Sequence, residues 1–140
     1  MRFVVADVRL VSFAPTDPVA LVGFDAATAV QVRAALAGAS VSEVRSLPCS
    51  AGTMKDIEDG AVRLLLAYWD GEPGAMADFL AGLQSTDEFR AGRLRFFVVT
   101  QRISIVAAAK RLGASMVIRT PFPASIFAEA LPRLRYHAAA

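Results

Sequence analysis

The sequence predicts a doubly wound α/β domain: a five-stranded parallel sheet with helices on both faces, plus one extra strand near the N-terminus. Three observations point there. Several short runs are apolar at every position, which is how a strand buried on both faces reads. These runs alternate five times with helix-favouring stretches through short connections. The 140 residues, 55% of them hydrophobic, suffice for one domain whose core needs no disulfide or metal staple.

The elements follow in order. Residues 4–13 are β-branched, with Val4, Ala6, Val8 and Leu10 on one side, the pattern of the extra strand. Pro15-Thr16-Asp17-Pro18 ends it, since two prolines this close forbid continued pairing. Val19-Ala20-Leu21-Val22 is the first core strand. Residues 25–36 form an Ala-rich helix closed by Gly38. Residues 41–47 read as the second core strand and 53–60 as a short polar helix. Residues 63–69 are the third core strand, and Asp70-Gly71-Glu72-Pro73-Gly74 is a loop by composition. Met76, Phe79, Leu80 and Leu83 then fall at helical spacing. Residues 95–100 are the fourth strand, 103–112 a helix stopped by Gly113, and 115–118 the fifth strand. Residues 123–131 are the last helix, interrupted by Pro132. The expected organisation is an N-terminal extension (1–17), one domain (18–136) and a frayed tail (137–140).

Composition excludes several function classes. No apolar run reaches the ~18–20 residues of a membrane span, and Met1-Arg2-Phe3 opens no signal peptide. A cytoplasmic domain is therefore expected, with no membrane partner. The single cysteine, Cys49, and single histidine, His137, argue against zinc clusters and against Ser-His-Asp or Cys-His catalysis. Both read as bystanders. Net charge is +2 but segregated. Residues 1–89 hold six Lys/Arg against twelve Asp/Glu, and residues 90–140 hold nine Lys/Arg against Glu129 alone. Such a split suits an acidic partner surface, nucleic acid, or attraction between two ends of one body.

Gly113-Ala114-Ser115-Met116-Val117-Ile118-Arg119-Thr120-Pro121-Phe122 resembles the end of the receiver domain of two-component response regulators. In that family Gly-Ala precedes the last strand and Lys-Pro-Phe follows it. Phe96-Phe97-Val98-Val99-Thr100 resembles the family's fourth strand with its Ser/Thr, and residues 19–25 resemble its first strand and acidic turn. The resemblance covers about residues 18–136. It implies a flavodoxin-like fold with sheet order 2-1-3-4-5.

It also implies a chemistry from which this sequence departs. A receiver phosphorylates an Asp at the end of strand three, holds Mg²⁺ with an acidic pair after strand one, and contacts phosphate with a Lys and a Ser/Thr. Here the acidic pair is Phe24 and Asp25, and the Lys position is Thr120. Arg119, next to it, points to the opposite face unless the strand bulges. The switch-aromatic position is Val117. The phosphoacceptor position falls on Trp69 counted back from Pro73, or on Asp70 counted forward from Leu66. Phe24, Asp25, Trp69, Thr100 and Thr120 thus mark a vestigial pocket, with Asp70 as the candidate phosphoacceptor. Asp25 and Thr100 equally read as helix caps, and Asp70 as a turn residue before Gly71.

The favoured reading is a pseudo-receiver. It is not an enzyme, needs no cofactor, binds Mg²⁺ weakly at most, and acts by contact with signalling proteins or with a second copy of itself. The resemblance implies the helix four–strand five–helix five face, represented here by Arg102, Lys110, Arg111, Arg119 and Phe122. The alternative is a divergent receiver phosphorylated on Asp70. A nucleic-acid binder is weaker still, because such proteins show a larger basic excess than +2.

Overall fold

The computed structural model describes residues 10–14, 16–60, 62–70 and 74–137. Five parallel strands form the main sheet: β2 (Val19–Val22), β3 (Val44–Leu47), β4 (Leu64–Tyr68), β5 (Arg95–Thr100) and β6 (Met116–Arg119). Their order is β3-β2-β4-β5-β6. With the core strands counted from one, this is the expected 2-1-3-4-5. Successive residues of each central strand enter opposite cores. Val19, Leu21, Leu64, Leu66, Phe97 and Val99 face one side, where α1 (Ala26–Gly38) and α6 (Ile126–Ala130) cover them. Ala20, Val22, Leu65, Ala67, Phe96 and Val98 face the other, under α2 (Ala51–Glu58), α3 (Ala75–Gln84) and α5 (Ile103–Arg111). Each fully buried aliphatic side chain contributes ~1.5–3 kcal/mol, so two-sided burial is what commits these short runs to the sheet.

Local chemistry sets the boundaries. Asp25 is the N-cap of α1 rather than its first residue: its Oδ1 accepts from Thr28 N–H at 2.7 Å. The helix runs through Gly38, and the left-handed turn after it falls on Ser40. The polar helix begins at Ala51, two residues before the sequence pattern suggests, with Thr53 Oγ1 bonded to Pro48 O. The second core strand is shorter than expected and starts at Val44. A one-turn helix, α4 (Asp87–Arg90), capped by the buried Thr86, was not apparent in the sequence. Gly113 adopts φ +98°, and a Cβ there would lie 2.8 Å from the Phe89 ring. That close approach seats the end of α5 on α4. The last helix is only Ile126–Ala130, and Pro132 lies in the 3₁₀ turn Leu131–Arg133 that follows.

Among the described residues, the extra strand joins neither edge of the main sheet. Its described part, β1 (Leu10–Ser12), pairs antiparallel with β7 (Arg135–His137), Leu10 opposite His137. Residues 4–9 of the expected strand lie outside the described residues. So do 138–140 of the expected tail, but the backbone of His137 belongs to β7 and is not frayed. The two-stranded ribbon closes the amino end of the sheet. Arg95 Nε donates to Arg135 O at 3.2 Å, and the Arg63 guanidinium lies 5.3 Å from the Tyr136 ring centroid. Phe13, Leu134 and Tyr136 are buried in the core beneath α1 and α6.

Candidate functional site at the carboxyl end of the sheet

Open α/β sheets bind ligands beyond the carboxyl ends of their strands, where the strand order reverses. Here that point lies between β2 and β4. Three short segments converge on it: Gly23-Phe24-Asp25 after β2, Trp69-Asp70 after β4, and Gln101-Arg102 after β5.

Asp70 is held by its neighbours. Its Oδ1 accepts from Gln101 N–H at 3.1 Å and its Oδ2 from the Tyr68 hydroxyl at 3.2 Å. Gln101 Nε2 in turn donates to the Tyr68 oxygen at 3.1 Å, closing a Tyr68–Asp70–Gln101 ring. The Arg119 guanidinium reaches the same loop and donates to Gln101 O at 3.4 Å. Tyr68 stacks on Phe24 with ring centroids 5.3 Å apart. Beside them Gly23 has φ +79°, and a Cβ there would meet the Met76 methyl at 2.7 Å and Tyr68 O at 3.2 Å. Glycine is therefore required for the turn and for the methionine that lies over it.

The other candidate residues are placed apart. Trp69 continues the β4–β5 ladder, its N–H donating to Val99 O at 2.9 Å. Its side chain, 3% exposed, enters the core under α3 and α5, across the sheet from Phe24. The exposed Asp25 caps α1 with both oxygens on Thr28, and the Thr28 N–H bond chiefly holds its carboxyl below the usual range. Thr100 is buried, and its Oγ1 accepts from Arg102 N–H at 3.1 Å. Thr120 N–H donates to Thr100 O at 3.0 Å and precedes a cis Pro121. Of the interaction-face residues, Arg102, Lys110, Arg111 and Arg119 are exposed. Phe122 is half-buried, edge-on to Phe127 at 6.1 Å.

These residues do not fit the magnesium site that the receiver resemblance implies. Mg²⁺ wants converging oxygen ligands in near-octahedral geometry. Phe24 offers a ring, Asp25 is engaged as a cap, and Asp70 is bonded to Gln101 and Tyr68. Among the described residues no three His, Cys, Asp or Glu side chains group to hold a metal. The residues that define this end, Tyr68, Gln101 and Met76, were not singled out as site residues in the sequence. Tyr68 reads as the tail of an apolar strand, Met76 as helix core, and Gln101 as a connector.

No protein-family model matches the sequence, and no curated protein matches it. Solved structures do. A Burkholderia pseudomallei protein described as pilus assembly-related is similar at 19% identity and TM-score 0.69, over 89% of this chain and 92% of that one. A response regulator protein from Burkholderia multivorans is similar at 20% identity and TM-score 0.60, over 81% and 90%. A response regulator in red light signaling of R. palustris is similar at 16% identity and TM-score 0.57, over 82% and 89%. At such identities the likeness establishes the fold: this chain has the receiver architecture, with an antiparallel ribbon added at the amino end.

Proposed function

We propose that this chain is a receiver-fold module that works through protein–protein contact and does not run phosphoryl transfer. One observation carries the reading. Where receivers need two carboxylates and a Lys around the acceptor Asp, Asp70 is flanked by the Phe24–Tyr68 stack and bonded to Gln101. A phosphoryl group arriving at Asp70 would displace two hydrogen bonds and find no paired cation to stabilise its charge. The nearest candidate, Arg119, bonds a backbone carbonyl instead. The neighbour described as pilus assembly-related supports a setting in which the fold serves an assembly. The partners we infer are proteins of such a system, met on the exposed cationic flank of α5 and β6.

The test is incubation with a small phosphodonor and Mg²⁺, followed by intact mass. The expected spectrum is unchanged. A stoichiometric phosphoryl adduct, absent in Asp70→Asn, overturns the reading and makes the chain a divergent phosphorylatable receiver.

A further inference from the structure

The sheet topology places a ridge and a matching groove on one face. α2, α3 and α5 cover the same core, and each follows a strand and leads into a later parallel strand. All three therefore run from the carboxyl end of the sheet toward its amino end. Between α2 and α3 lies an open groove of about 560 Å³. Its upper part is lined by Cys49, Ala51, Ala75 and, in the first turn of α3, Asp78, its middle by Met54, Lys55 and Phe79, and its lower end by Glu58. Together α2, its C-cap and α3 bear Asp56, Glu58, Asp59 and Asp78 against Lys55. The outer stripe of α5 has the opposite character. Ile103, 72% exposed, stands at its upper end, Ala107 in the middle, and Lys110 and Arg111 at its lower end, with Arg102 just before it. From Ile103 to Lys110 is seven residues, as from Ala51 to Glu58. None of these eight charged groups forms an ion pair among the described residues, where the pairs are Arg45–Glu43 and Arg93–Glu88.

We propose that a second copy of this chain occupies the groove, its α5 ridge seated between α2 and α3. With the helices parallel, Ile103 at the upper end of the ridge meets the small side chains Ala51 and Ala75 at the upper end of the groove, and Lys110 and Arg111 meet Glu58 at its lower end. Anchors at i, i+4 and i+7 are how a helix engages a groove. Ridge and groove share one face, so a two-fold axis parallel to the strands makes both contacts at once and closes a dimer. Neither ridge nor groove includes Asp70, and the proposal does not depend on how that residue behaves, so the phosphodonor result and this one can fail separately.

The test is sedimentation velocity of the full chain across concentration, at low salt and at about 0.5 M salt, where charge interactions are strongly screened. We expect a monomer–dimer equilibrium that weakens as salt rises. The ridge reversal Lys110→Glu/Arg111→Glu and the groove reversal Glu58→Lys each weaken association at least tenfold. Combining both reversals in one chain restores it. Ile103→Asp, an acid in a first helical turn where the helix dipole favours it, folds and also loses the dimer. Far-UV circular dichroism confirms the fold of each variant. A wild type that stays monomeric throughout, or a dimer indifferent to the groove reversal, overturns the proposal.

Discussion

At the amino end of the sheet, Tyr136 is fully buried, packed 6.3 Å from Phe13 and roofed by the Arg63 guanidinium. At the carboxyl end, the Phe24–Tyr68 stack is only half-buried, and its polar partners Asp70 and Gln101 face solvent in whole or part. Both ends are aromatic, yet they do different work. The ribbon ties two distant stretches of chain to the core through buried area and a hydrogen bond from the Arg95 side chain to Arg135 O. The Tyr68–Asp70–Gln101 ring is a small hydrogen-bonded network that water can still reach. Stability therefore concentrates at the amino end, while the carboxyl end, where open α/β sheets bind ligands, is closed lightly.

The largest effect that would break this contrast is at the ribbon. Tyr136→Ala removes a fully buried aromatic and leaves a cavity, a loss of about 3–5 kcal/mol. That is a large share of the ~5–15 kcal/mol holding a typical domain together. Urea unfolding followed by circular dichroism should show the midpoint fall with an unchanged slope. A loss below about 1 kcal/mol would mean the ribbon is an appendage and that the two ends do not differ as argued.

The core strands were legible because two-sided burial leaves a run apolar at every position, as in Val19–Val22 and Leu64–Tyr68. The ribbon's second strand was not. Arg135–His137 has no strand pattern of its own and is fixed by pairing with residues 125 positions earlier. α4 escaped because one turn of helix carries no period. The departures from the receiver pattern at Phe24 and Thr120 could be read directly, but the network that replaced it could not. The hydrogen bond from Gln101 to Asp70 spans 31 residues and depends on the β4–β5 register, which places Tyr68 against Val99 and so Asp70 beside Gln101. Met76 over Gly23 is likewise a tertiary contact that helical spacing reads only as core.

An intermediate effect is expected at the carboxyl end. Phe24→Asp restores the missing carboxylate of the receiver pattern. It forfeits a half-buried ring and its stack on Tyr68, the stack alone contributing ~0.5–1.5 kcal/mol. The melting temperature should fall by a few degrees. Mg²⁺ should not recover it, because Asp25 still caps α1 and Asp70 still holds Gln101. Ligand linkage raises stability only when the metal binds the folded state. Recovery of the wild-type melting temperature by millimolar Mg²⁺ would show that Phe24 alone blocks a metal site, which narrows the difference between this end and a working receiver to one residue.

The smallest effect at neutral pH separates the Tyr136 ring from its hydroxyl. That hydroxyl is buried and makes no hydrogen bond among the described residues. Burial foremost, with Asp17 nearby, raises its pKa above the ordinary ~10 against the opposing pull of Arg63 and Arg95. Tyr136→Phe keeps the packing and removes an unsatisfied polar atom, so stability at neutral pH should hold or rise by up to about 1 kcal/mol. The pH dependence gives the sharper reading. The folded state favours the protonated phenol, so this contribution is fully present below the unfolded pKa near 10. It is lost progressively as pH climbs from there toward the raised folded value, because only the unfolded chain ionises readily. Wild type should therefore lose stability above about pH 10 faster than Tyr136→Phe, and the two urea midpoints should diverge only in that window. Parallel alkaline losses would show that the hydroxyl reaches water, and the amino end would then be as lightly closed as the carboxyl end.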